Sequence, residues 1–111
     1  MTIRATTILL FLALAGGCGS DPASDQPLTK AYVCTSYALS ACVRMHACDP
    51  SRVVAECITD VGNACCGSEN CQRSVLASED DVLDCTAVVD VMSCSSIMSG
   101  TVPTSCAGIT R

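Results

Sequence analysis

The chain has 111 residues, 11 of them cysteine, with a formal net charge of −5, one histidine, two tyrosines, one phenylalanine and no tryptophan. A cysteine content of about one residue in ten marks a short extracytoplasmic chain as a disulfide scaffold, and the length admits one small domain. An acidic, nearly aromatic-free chain lacks the basic stripe and stacking rings that nucleic acid requires, which excludes nucleic acid as a partner.

Residues 1–17 form the first unit. Arg4 supplies a short positive region, and Ile8–Ala15 (ILLFLALA) is an unbroken apolar run of eight residues followed by Gly16 and Gly17. This is the pattern of a secretory signal peptide. A membrane-spanning helix needs about 18 or more apolar residues, so the run is too short to span. Two cleavage sites compete. Ala13-Leu14-Ala15 is an A-x-A site that releases a soluble, secreted disulfide-rich protein. Leu14-Ala15-Gly16-Gly17-Cys18 resembles the lipobox of bacterial lipoproteins, which implies cleavage before Cys18 and acylation (palmitate or a similar chain) of that cysteine. Parity favours the second reading. Eleven cysteines leave one unpaired, whereas removing Cys18 leaves ten: Cys34, Cys42, Cys48, Cys57, Cys65, Cys66, Cys71, Cys85, Cys94 and Cys106. Residues 18–28 (CGSDPASDQPL) then serve as lipidated N-terminus and flexible linker, and residues 29–111 as the cysteine-rich domain.

The mature chain loses Arg4, so five basic residues face eleven acidic ones and the formal charge becomes −6. Such a domain is repelled by anionic headgroups and reaches a membrane through its lipid anchor. Gly19 and Ser20 follow Cys18. The absence of Asp directly after the cysteine fits outer-membrane delivery, facing the periplasm or the surface.

In the domain, helix periodicity runs from Lys30 to Cys48, where Cys34, Tyr37, Ala38, Ala41, Cys42, Met45 and Cys48 share one face. Thr29 is the expected N-cap. Asp49 is expected to cap a second helix, with Pro50 in its first turn, running to Cys66 and stopped by Gly67. A third is expected from Glu79 to Met98, capped by Ser78, with Glu79, Asp80 and Asp81 in its first turn and Gly100 after it. Residues 68–77 allow one short helical turn around Cys71. After Pro103 a tail returns Cys106 to the body. No stretch alternates with period two, so no sheet is expected. The fold class is therefore all-α: a small disulfide-stapled bundle of about three helices with irregular connections, behind the signal peptide and tether.

The cysteine spacing restricts the pairing. Cys85 and Cys94 are nine residues apart, about two and a half turns of a continuous helix, so they point to opposite sides and need different partners. Adjacent Cys65 and Cys66 also need separate partners. Ten cysteines still admit about a thousand pairings.

Cys42, His46 and Cys48 lie within about two helical turns and form a weak candidate zinc half-site, but no second pair follows at compact spacing. No C-x-x-C is present for redox chemistry, and His46 is the one imidazole available to any triad. Glu79, Asp80, Asp81 and Asp84 lack calcium-loop geometry and read as helix-dipole stabilisation. These residues predict no enzyme and no cofactor.

Cys85-x8-Cys94 followed by Gly100-x-x-Pro103-x-x-Cys106, together with the lipobox, resembles the small cysteine-rich lipoproteins of myxobacterial-type Gram-negative bacteria. The resemblance implies an envelope location and a disulfide-rich helical domain. It implies no site. The functional expectation is a cell-envelope lipoprotein with a structural or protein-binding role and a possible envelope protein partner. The alternative is a metal- or thiol-handling periplasmic protein.

Overall fold

The computed structural model of the chain describes residues 27–68 and 70–111. The signal peptide, Cys18 and nearly all of the linker lie outside the described residues. The described residues form four helices in order: α1 Lys30–Cys48, α2 Val54–Cys66, α3 Glu79–Asp90 and α4 Cys94–Met98. The described residues contain no strand, only an isolated antiparallel bridge between Thr29 and Ser74.

The first helix spans the expected residues because both of its ends are chemically marked. The Thr29 side chain accepts from the Tyr32 amide, and Asp49 ends the helix with its N–H donating to the Met45 carbonyl. Two more N-terminal amides are satisfied from outside the helix. Lys30 N–H donates to the Arg73 carbonyl (2.9 Å) and Ala31 N–H to the Cys71 carbonyl (2.6 Å). The segment around Cys71 therefore serves as backbone cap for α1 instead of forming a helical turn.

The second helix starts later than its sequence suggests. The Asp49 carboxylate does not cap it; it accepts from the Ser51 amide and hydroxyl (3.2 and 2.6 Å), closing a tight turn in which Pro50 sits exposed. Val53 becomes the N-cap and offers no side-chain hydrogen bond. The Ser51 hydrogen bonds, chiefly the hydroxyl's, hold the Asp49 carboxyl below its ordinary value. A depressed folded-state value means that this turn contributes at neutral pH and loses its contribution as pH falls through that value. Ser51→Ala is expected to return the Asp49 titration toward an ordinary aspartate, as read by carboxyl NMR shifts against pH.

The third expected helix is two helices. α3 ends at Asp90, and α4 begins at Cys94 with the Ser93 hydroxyl accepting from the Ser96 amide. The break frees the Met92 carbonyl, which accepts from Arg44 Nε at 2.8 Å. A new cap and a charge-assisted hydrogen bond together replace the helical bonds given up there. The start of α3 is as expected. Ser78 and Asp81 form a reciprocal capping box. Ser78→Ala is expected to cost about 1 kcal/mol, with the urea midpoint falling and the slope unchanged.

All ten domain cysteines pair: Cys34–Cys65, Cys42–Cys57, Cys48–Cys94, Cys66–Cys71 and Cys85–Cys106. Two bridges fix α2 antiparallel to α1. On another side of α1, Tyr32 Oη donates to Glu79 Oε1 (3.5 Å), Arg44 reaches Met92 and Cys48 joins Cys94, so α3 and α4 run alongside it in the same direction. The central, multiply stitched element is α1. Cys85 and Cys94 do have different partners, but they sit on separate helices, and Cys85 reaches the tail. Cys65 and Cys66 likewise part, to Cys34 and Cys71.

The core lies between α1, α3, α4 and the tail. It comprises Val33, Ala41, Val75, Val82, Cys85, Val89, Met92, Ile97, Cys106 and Ile109, with Leu28 and Tyr37 packed against it. Among the described residues no aromatic ring is fully buried. The second helix contributes no buried residue at all, although its apolar positions gather on one face.

Candidate functional site

An apolar concavity follows from that last fact. An amphipathic helix normally buries its apolar stripe. Here α2 is held to α1 by two bridges, and its apolar face is only half covered. Val61, Ala64 and Cys65 on α2, Tyr37 and Met45 on α1, and the tail from Gly100 and Val102 to Cys106–Thr110 surround a groove of about 480 Å³. That size falls within the range of small-molecule sites.

The tail wall is fixed at several points. Cys106 is bridged to the buried Cys85. The Arg73 guanidinium donates to the Thr110 carbonyl, and the Leu76 amide donates to the Arg111 carbonyl at 2.8 Å. Gly108 has φ +85°, and a Cβ there would also stand 3.2 Å from the Arg111 guanidinium nitrogen. Glycine is therefore required for this turn of the wall.

Among the described residues, no charged side chain lines the groove. Tyr37 is its most distinctive polar group. Partial burial raises its pKa, and its hydroxyl has no hydrogen-bond partner among the described residues. The Arg52, Arg73 and Arg111 guanidinium groups stand against three lining residues, Met45, Thr110 and Gly108, so cations border the apolar lining. The arrangement contains no nucleophile and base pair.

The other sequence candidates are placed elsewhere. Cys42 and Cys48 are engaged in bridges to Cys57 and Cys94, which removes the thiolates a zinc half-site would use. His46 Nδ1 lies 2.8 Å from the Arg52 carbonyl oxygen. Among the described residues, no group of three or more His, Cys, Asp or Glu is placed to hold a metal ion. Asp81 closes the capping box and, with Asp84, Leu76 and Arg111, borders a more open cleft of about 400 Å³. Cys18 lies outside the described residues. Among those residues, no helix is long and apolar enough to cross a membrane.

Sequence periodicity places Tyr37 and Met45 on one face of α1, and both pack against the core while lining the groove. Val61 lies on the apolar i, i+4 face of the second helix, whereas Val102 and Gly108 carry no signal of their own. What would have singled them out is the mismatch between an amphipathic α2 and the lack of any element left to cover it.

Comparison with known proteins finds no matching family model, no matching curated protein and no matching solved structure.

Proposed function

We propose that the protein is a cell-envelope lipoprotein whose folded domain is a non-enzymatic binding module. Cys18 carries the acyl chains, the following residues form the tether, and the domain presents its groove to the periplasm or cell surface. The outer membrane is the proposed location, from Gly19 and Ser20 after the anchor. Similarity to the cysteine-rich lipoproteins of myxobacterial-type bacteria belongs to the same proposal.

One observation carries it. The five bridges consume every cysteine after Cys18 and leave Cys18 outside the framework. A chain with an odd cysteine count gives that residue a different task. The lipobox-like stretch before it names the task. The apolar groove supports binding as the role of the domain.

Intact mass of the purified mature protein tests the reading. The expected mass is that of residues 18–111 with an acylated Cys18 and ten hydrogens lost to bridges, and iodoacetamide adds nothing before reduction. An unacylated chain beginning at Gly16 would overturn the anchor. Several alkylatable thiols would overturn the closed framework and favour metal or thiol handling. Co-fractionation with inner-membrane markers would overturn the location.

A further inference from the structure

We infer that Met45 is a site of oxidation by peroxide, with the Arg52 guanidinium assisting oxygen transfer to its sulfur and then holding the sulfoxide. This goes beyond the binding-module reading and does not depend on it.

The surroundings of the sulfur carry the inference. Arg52 Nη1 lies 3.9 Å from Met45 Sδ. Cys57 Sγ stands 3.8 Å from the same atom, but it is bridged to Cys42 and has no proton to donate. Among the described residues, no donor reaches the sulfur of Met92 or Met98. Burial alone does not single out Met45, because Met98 is half-buried as well; Met92 is buried. The cation at the sulfur is what distinguishes it.

That cation is held in place. Arg52 Nε faces Asp49 Oδ2 at 3.8 Å, and the Ser51 amide and hydroxyl fix the same carboxylate. The Arg52 amide donates to the Asp49 carbonyl at 3.0 Å, and the Arg52 carbonyl lies 2.8 Å from His46 Nδ1. The turn between α1 and α2 therefore sets a guanidinium against a thioether. The Arg52 side chain is exposed, so a small peroxide reaches the sulfur from solvent.

The chemistry suits this pair. A sulfur lone pair attacks one peroxide oxygen, and the S–O bond forms as the O–O bond breaks. The proton on the transferred oxygen passes to the departing oxygen, which leaves as water. Sulfur loses two electrons and the peroxide gains them. Negative charge builds on the departing oxygen during transfer, and a guanidinium N–H stabilises it there. Arginine keeps its own proton and contributes a hydrogen bond. The product oxygen, one bond from Sδ, can lie at an ordinary hydrogen-bond length of about 2.9 Å from Nη1 without movement of Arg52. A sulfoxide ordinarily disrupts apolar packing, whereas this one gains a charge-assisted hydrogen bond. Met45 also lines the groove, so oxidation exchanges an apolar lining group for a polar one.

The test treats the mature chain, its five bridges intact, with dilute hydrogen peroxide at neutral pH. Peptide mapping by mass follows the gain of one oxygen at each methionine. One preorganised donor in a water-excluded site is worth about a hundredfold or more; at this exposed site Met45 is expected to react about five- to tenfold faster than Met98. Arg52→Gln should bring Met45 to the Met98 rate and leave Met98 unchanged. In urea the methionine rates should converge. Oxidation should leave the denaturant midpoint of the wild type nearly unchanged and lower that of Arg52→Gln.

Met98 or Met92 reacting as fast as Met45 in the folded chain would overturn the assignment. So would a fast Met45 in Arg52→Gln with all five bridges formed. If that variant fails to form its bridges, the wild-type ratio and its loss in urea decide.

Discussion

Excess dithiol is expected to unfold the domain at moderate temperature, with loss of protected amides and of the tyrosine near-UV signal. The reason lies in what fills the core. Its buried side chains are mostly small, valine, cysteine and alanine, with Ile97, Ile109 and Met92 as the larger aliphatics and no fully buried ring among the described residues. A domain of this size is marginal without staples. Among the bridges, Cys85–Cys106 ties the tail into the core, and two others, with the Lys30 Nζ hydrogen bond to the Cys66 carbonyl, tie the half-covered α2 to α1. The bridges should not count equally. In the chain-entropy account, the loop of 46 residues closed by Cys48–Cys94 contributes about 4 kcal/mol, and the five-residue loop of Cys66–Cys71 about 2. The double variant Cys48→Ala with Cys94→Ala is therefore expected to lower the denaturant midpoint more than Cys66→Ala with Cys71→Ala. The reverse order would show that the capping of α1 by the Cys71 and Arg73 carbonyls outweighs loop entropy. Unchanged far- and near-UV spectra in reductant would show that the core holds without its bridges.

What was legible in the sequence follows from how local each signal is. The first helix could be bounded because Thr29 and the Asp49-Pro50 pair act within one turn of its ends. Ser78 marked the start of α3 for the same reason, and Asp81 three residues on completes its box. Asp49 misled because one carboxylate has two uses within three residues. It can cap a helix or bond Ser51, and the turn to α2 takes the second. The break after Asp90 depends on Arg44, 48 residues upstream of the carbonyl it receives, and no local rule reports that. The separate partners of Cys65 and Cys66 were legible from adjacency alone. The pairing itself was not, because it depends on α1 being central and α2 antiparallel to it. The groove is least legible of all. It is a property of the space between α2 and a tail of glycines and small residues, and it exists because neither supplies a side chain large enough to close it.

The division of labour between Cys18 and the other cysteines gives the remaining large effect. If Cys18 is the anchor, Cys18→Ser removes the thiol that the acyl chains require. The precursor then stays uncut, or is cut after Ala15 and released as a soluble domain. Buried acyl methylenes hold a lipoprotein at a membrane with about 0.8 kcal/mol each, so loss of the anchor should move essentially all mature protein out of the detergent phase. The folded domain offers no substitute, being acidic and without a membrane-crossing helix among its described residues. All five bridges should still form, because each joins residues after Cys34 or Cys34 itself. Cys94→Ser is expected to do the opposite. Membrane attachment survives, but Cys48 is left as a half-buried thiol at the end of α1. That thiol should drive disulfide-linked dimers or exchange with the nearby bridges. Phase partitioning and non-reducing electrophoresis of the two variants, side by side, separate the tasks. Cleaved Cys18→Ser protein that still enters detergent, or that has lost a bridge, would mean that Cys18 belongs to the framework and the anchor lies elsewhere.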